Sequence, residues 1–252
     1  MSLKLLVVAL LLISRPVAAD ELRIMTSGTF TAAFLELAPR FERATGHRLV
    51  AATTTMGVGA ESIPSRLQRR EPADVVILDD DVLKQLIADG AVIAESRTAL
   101  ARSGIGMAVR AGAVKPDIST VDALRRTLLQ ARSVAYSSSV SGRYLSTELF
   151  QRLGIASEMA AKSRRIERER VGAVVARGEA EIGFQQTSEL LPVAGIDFVG
   201  PLPPEVQRVS VFSAGIAAHS RNRAAAESLI RFLASAEVAA TVSATGLDPV
   251  TR

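Results

Sequence analysis

Tyr136-Ser-Ser-Ser-Val-Ser-Gly-Arg-Tyr144 closes one apolar run and opens another. Ser133–Tyr136 predicts the end of a buried strand. The serines and Gly142 predict a turn, and Arg143 the opening of a helix that runs to Leu153-Gly154. A helix start exposes free backbone N–H groups and the positive end of a dipole, so such a corner attracts an anion. Ser137, Ser139, Ser141, Gly142 and Arg143 therefore read as half of an anion cradle. The same residues also fit a plain N-cap beside a solvated arginine.

The N-terminal side repeats this pattern. Glu21–Met25 reads as a strand, and Phe30, Ala33, Phe34, Leu37 and Phe41 fall at helical spacing until Gly46. Arg48–Thr54 predicts a second strand, Ala60–Arg70 a helix, Val75–Leu78 a third strand and Val82–Asp89 a third helix capped by Asp79-Asp80-Asp81. Three strand–turn–helix units in succession predict an α/β sheet with parallel strands, whose ligands gather at the carboxyl ends of the strands. Two of those turns carry hydroxyls and glycines: Ser27 and Thr29, then Thr54, Thr55 and Gly57. Further on, Gly104–Val109, Ser163–Ile166, Ala180–Phe184, Ile196–Val199 and Val209–Ala217 read as strands. Helices are expected over Ser119–Gln130, Glu167–Gly178, Asn222–Ala234 and Ala236–Ala244. The second half thus supplies Arg168 and Arg170 near a helix start and Gln185-Gln186 at a strand end.

Composition narrows the function. The 252 residues, 48% hydrophobic, are enough for one large domain or two lobes. Lys+Arg number 30 against 26 Asp+Glu, and the basic residues are scattered rather than arrayed in a stripe, which argues against nucleic acid. The absence of cysteine removes disulfides and thiolate chemistry. No motif asks for a cofactor, and the three aspartates at 79–81 read as a cap rather than a metal site. His47 and His219 read as surface residues in turns. Residues 1–19 have the form of a secretory signal: Lys4, an apolar run over Leu5–Ile13, and small residues up to Ala19. Its removal leaves no membrane span and puts the mature chain in the periplasm.

Several segments in order resemble the periplasmic substrate-binding proteins of ABC importers, in particular the molybdate-binding branch. They are Ser27-Gly-Thr-Phe-Thr-Ala-Ala-Phe34, Phe41-Glu-Arg-Ala-Thr-Gly46, Pro72-Ala-Asp-Val-Val-Ile77, Gly142-Arg-Tyr144, Gly178-Glu-Ala-Glu-Ile-Gly183 and Leu233-Ala-Ser-Ala-Glu237. The resemblance implies a two-lobed α/β fold of the type II periplasmic-binding-protein kind, with mixed, mostly parallel sheets and two crossover strands. Lobe one would hold residues 20–102 and 206–252, and lobe two 103–205. A small anion would lie between them, closure would be a hinge motion, and the protein would be a monomer whose partner is an ABC permease. The turns read above would hold it, giving as candidate ligand residues Ser27, Thr29, Thr54, Thr55, Gly57, Ser139, Ser141, Gly142, Arg143, Arg168, Gln185 and Gln186.

Two departures matter. Gln185-Gln186 stands where molybdate binders place a tyrosine, and Arg143 where they place an uncharged residue. A guanidinium fork matches a planar carboxylate, so an organic carboxylate is favoured over a compact oxyanion. The aconitate isomerases are similar in combining a secreted chain, this fold and a tricarboxylate substrate, which adds an enzymatic alternative. An allylic proton shift needs a base; the candidates are a carboxylate, a hydroxyl, or a tyrosine such as Tyr136 or Tyr144.

Overall fold

The computed structural model describes residues 19–52, 54 and 59–250. The expectations on Thr53, Thr55, Gly57 and all but the last residue of the signal segment lie outside the described residues. The chain opens with β1 (Glu21–Thr26), α1 (Gly28–Thr45), β2 (Arg48–Ala52), α2 (Ile63–Gln68), β3 (Val75–Asp79), α3 (Asp80–Ala88) and β4 (Thr98–Ser103). It then crosses to a second sheet through β5 (Ile105–Arg110), α4 (Val121–Gln130), β6 (Val134–Ser137), α5 (Val140–Tyr144), α6 (Phe150–Arg152), α7 (Ala156–Lys162), β7 (Ser163–Ile166), α8 (Val171–Ala176), β8 (Ile182–Gln186), α9 (Thr187–Leu190) and β9 (Ile196–Pro201). It returns through β10 (Ser210–Ile216), α10 (Arg223–Leu233), α11 (Ala239–Ala244) and β11 (Asp248–Pro249).

The sheets run in the orders β11-β4-β10-β3-β1-β2 and β7-β6-β8-β5-β9. β1 is parallel to β2 and β3, as β6 is to β7 and β8. β10 and β5, which follow the two crossings, lie antiparallel on β3 and β8. The two orders therefore correspond strand for strand: β1 with β6, β3 with β8, β10 with β5. This is the type II two-lobed architecture, with mixed, partly parallel sheets flanked by helices. The correspondence also pairs the corners. The turns after β1 and β6 carry Ser27 and Ser139; those after β3 and β8 open α3 and α9.

Burial follows the periodicity. Val75–Leu78 of β3 is buried on both faces, as an apolar parallel strand must be. Phe30, Ala33, Phe34, Leu37 and Phe41 of α1 are at most 1% exposed against Leu22, Ile24, Ile77 and Leu229. Each such phenylalanine contributes about 1.5–3 kcal/mol relative to exposure. Gly46 ends α1 in the left-handed region at φ 78°, its N–H bonded to the Glu42 carbonyl at 2.8 Å. A second core under lobe two gathers Ile105, Met107, Leu124, Tyr144, Phe150 and Phe184.

Several expectations are corrected. The helix after β6 begins at Val140, so Arg143 lies in the last turn of α5 rather than at its opening. A π-helical turn over Leu145–Leu149 joins α5 to α6. The sequence pattern assigns no element to Thr98–Ser103, which forms strand β4 because β10 and β11 pair with it from either side. His47 is only 8% exposed: its Nδ1 accepts the Asp20 N–H at 3.1 Å and its ring stacks on Phe41. Tyr144 is buried with its hydroxyl donated to the Val206 carbonyl at 2.7 Å, which withdraws it as a base.

Asp80, in the first turn of α3, ties that helix to the sheet. Its carboxylate takes Nε and Nη2 of Arg97 at 2.7 and 2.6 Å, the Ser213 hydroxyl at 2.7 Å and Lys84 Nζ at 3.0 Å. Burial works to raise its pKa, but Arg97, Ser213 and Lys84 outweigh it and hold the carboxyl well below its ordinary value of 3.8. Asp80→Asn should therefore lose about 1.5–3 kcal/mol in urea unfolding at pH 7, the worth of charge-assisted bonds. Because the folded-state pKa is depressed, the difference should shrink as pH falls below 3.8. An equal gap at pH 7 and at low pH would contradict it.

Candidate functional site

The corners after β1, β3, β6 and β8 face one another across the gap between the lobes. Ser27 is the N-cap residue of α1, in an extended conformation, yet its side chain makes no capping bond. Its Oγ is buried and has no partner among the described residues. The amino end of an 18-residue helix, with its orphan N–H groups, thus keeps an unengaged hydroxyl beside it. Opposite, the hydroxyls of Ser137, Ser139 and Ser141 bond to one another at 2.6–3.1 Å.

Two cavities flank this meeting point, sharing Gly28 and Glu189 as walls. One, of about 190 Å³, is lined by Ser27, Thr29, Asp79, Ser138, Ser139 and Arg143, among others. The other, of about 440 Å³, is lined by Thr26, Thr54, Arg168, Glu169 and Arg170, among others. A ligand at this point meets hydroxyls and helix ends from lobe one and arginines from lobe two. Arg143, Arg168 and Arg170 form no salt bridge among the described residues, whereas Arg97, Arg164 and Arg177 elsewhere are ion-paired. Guanidinium groups gathered at a cleft favour an anion.

Glu189 lies at the junction. It is 1% exposed, in the first turn of α9, and bridges the lobes: Thr29 Oγ1 donates to its Oε2 at 3.4 Å, and the neighbouring Ser188 hydroxyl donates to the Thr29 carbonyl at 2.9 Å. Its Oε1 has no hydrogen-bond partner among the described residues. Burial pushes this carboxyl up to about 7, against the pull of the Arg170 charge, the Gln185 amide and the Thr29 hydroxyl. Asp79, at the matching corner of lobe one, is also raised above its ordinary value by burial, opposed by the Val82 and Asp81 N–H groups that it caps.

The residues picked from the sequence divide into groups. Ser27, Thr29, Ser139 and Arg143 line the first cavity, and Thr54 and Arg168 the second. Thr54 donates its hydroxyl to the Thr26 carbonyl at 2.6 Å. Ser141 is buried within the serine cluster. Gly142 is packed so tightly on β6 that a Cβ would sit 1.6 Å from the Ser137 carbonyl oxygen. Gln185 accepts the Val171 N–H at 2.8 Å and stands beside Glu189. Gln186 turns away: with its amide oriented so that the nitrogen donates, that nitrogen lies 3.0–3.1 Å from the Ser103 and Gly104 carbonyls and the Ser103 hydroxyl, pinning the crossover. Glu189 itself carried no signal in the sequence, because an acidic residue in a helix's first turn reads as an ordinary match to the dipole.

The family model of bacterial extracellular solute-binding proteins matches residues 22–248. Among curated relatives, an aconitate isomerase from a Pseudomonas species is 47% identical over 247 residues, covering 96% of this chain and 94% of that protein. The molybdate-binding protein ModA of Azotobacter vinelandii is 25% identical over 258 residues, 97% of each chain. In fold, the solved periplasmic molybdate-binding protein of Azotobacter vinelandii superposes with a TM-score of 0.69 at 20% identity, covering 90% of this chain and 98% of that one.

Proposed function

The chain belongs to the family of bacterial extracellular solute-binding proteins, and from that premise we propose that it is an aconitate isomerase-type enzyme of the periplasm, working on a tricarboxylate held between the lobes. The observation that carries the proposal is the set of three arginines that form no salt bridge among the described residues, Arg143 on one side of Glu189 and Arg168 and Arg170 on the other. Three positive charges, one in the first cavity and two in the second, suit several carboxylates on one small carbon skeleton. A molybdate-sized oxyanion needs no such spread. The full-length similarity to an aconitate isomerase supports the same choice.

The chemistry asked of the site is modest. trans-Aconitate becomes cis-aconitate when a proton leaves the methylene carbon and a proton returns to the vinylic carbon. Arginines that hold the flanking carboxylates stabilise the negative charge that spreads through the allyl system in between. Ser27 and the amino end of α1 supply neutral donors for the remaining carboxylate oxygens.

Purified protein incubated with trans-aconitate should yield cis-aconitate, followed by chromatography. Failure to convert any of it ends the isomerase reading. The second reading, a binding protein that delivers an anion to an ABC importer, is favoured by the family and by the molybdate-binding relative. It predicts thermal stabilisation by an anion without turnover. Arg143→Ala should weaken trans-aconitate binding by more than tenfold, the equivalent of about 1.5–3 kcal/mol for charge-assisted bonds. Titration calorimetry giving an unchanged Kd would take Arg143 out of the site.

A further inference from the structure

An allylic shift needs one group that removes a proton from carbon and one that returns it. Resting on the isomerase reading above, we infer that Glu189 performs both steps, as a single carboxylate between the two cavities that carries the proton from one end of the allyl system to the other.

The geometry singles it out. Glu189 is the carboxylate that forms a wall of both cavities. Its Oε1 has no partner among the described residues, while Thr29 holds Oε2 at 3.4 Å. The other nearby carboxylates are engaged. Asp79 accepts the Asp81 and Val82 N–H groups at 3.1 and 3.4 Å. Glu169 is bound by both Nη atoms of Arg177 at 2.8 and 2.9 Å. Tyr144 donates to Val206, and the rings of His47 and His219 bond to the Asp20 N–H and the Glu71 carbonyl, outside the cleft.

The step balances without a co-reactant. Oε1 takes a proton from the methylene carbon, and the electron pair left behind spreads through the double bond into the conjugated carboxylates. The double bond moves one position, and the proton returns from Glu189 to the former vinylic carbon. The carboxylate is regenerated. A carboxyl raised to about 7 suits both halves, since it accepts and releases a proton near neutrality. The charged or titratable groups around it are Arg168, Glu169 and Arg170 at the approach to α8, Asp79 at the start of α3, and Arg143 on α5.

The test compares wild type with Glu189→Gln and Glu189→Asp. Conversion of trans-aconitate and deuterium uptake from D2O are followed by NMR, and binding by thermal shift. Glu189→Gln should fold and still be stabilised by trans-aconitate, with kcat and deuterium uptake reduced about 10²–10⁴-fold. Glu189→Asp should keep measurable activity, with the pH limb of kcat displaced from that of wild type. A Gln variant within tenfold of wild type, or one that exchanges deuterium normally, overturns the assignment while leaving the isomerase reading in place. A Gln variant that loses trans-aconitate binding makes Glu189 a binding residue and overturns it too. A wild-type protein that converts nothing removes both.

Discussion

Gly142→Ala should lower the melting temperature by about 6–12 °C, the shift that roughly 3 kcal/mol produces in a chain of this size. α5 crosses the end of β6 at a distance only glycine permits. An added Cβ would stand 1.6 Å from the Ser137 carbonyl oxygen, 2.7 Å from its carbon and 2.9 Å from Tyr136 Cδ2. The first two atoms are backbone, so they cannot swing aside as a side chain does. Overpacking costs about 1–3 kcal/mol where neighbours can yield, and this position lies at or beyond the upper end. Any relief must come from lifting α5 off β6, which moves Ser139 and Arg143 away from the cleft. A variant that does fold should therefore bind trans-aconitate at least about tenfold more weakly, the loss of one charge-assisted contact. A melting temperature within 2 °C of wild type (roughly 1 kcal/mol or less) would refute the close-packing account.

The ligand-free protein should become more stable as pH falls from about 8 to about 5, and Glu189→Gln should remove the larger part of the trend, Asp79 with its raised carboxyl contributing in the same sense. The folded-state carboxyl is raised from 4.5 to about 7, so between those values the folded chain binds a proton that the unfolded chain does not. Stability therefore falls as pH rises through that window. The shift corresponds to roughly 3 kcal/mol of penalty at pH 8, an upper figure because the site can relax and admit water. Asp80, Glu179 and Glu181 have lowered values and act only at more acid pH. Melting temperatures of wild type and Gln variant should nearly coincide at pH 5, with the variant several degrees higher at pH 8. Parallel pH profiles for the two proteins would refute a carboxyl held in so dry a place. A residue that costs stability in the empty protein is the kind of compromise that functional sites carry.

Much of the architecture is legible in local pattern. The Phe30–Phe41 spacing, the apolar run at Val75–Leu78, and the hydroxyl-bearing turns at Ser27 and Ser137–Ser141 each state their element and the anion-seeking corner beside it. Thr98–Ser103 was not legible, since its small residues suit a helix as well as a strand until β10 and β11 supply partners. Gln186 is an instance of the same limit. An amide at a strand end can face a ligand or a carbonyl, and here Ser103 and Gly104 claim it. Gly142 could equally have served a close ligand or a close strand; the Ser137 carbonyl decides for the strand.

The amino-acid sequence by itself determined the strand–turn–helix units, the positive corners and the surplus of arginine that welcomes an acidic guest, because these depend on residues within a few positions of one another. Only the tertiary structure decided which polar groups go without a partner. Thr29 and Glu189 stand 160 residues apart and meet between the lobes. Desolvation and the choice of hydrogen-bond partner are set by whatever the whole fold brings near, so an oxygen of Glu189 without a partner among the described residues exists only once both lobes are in place.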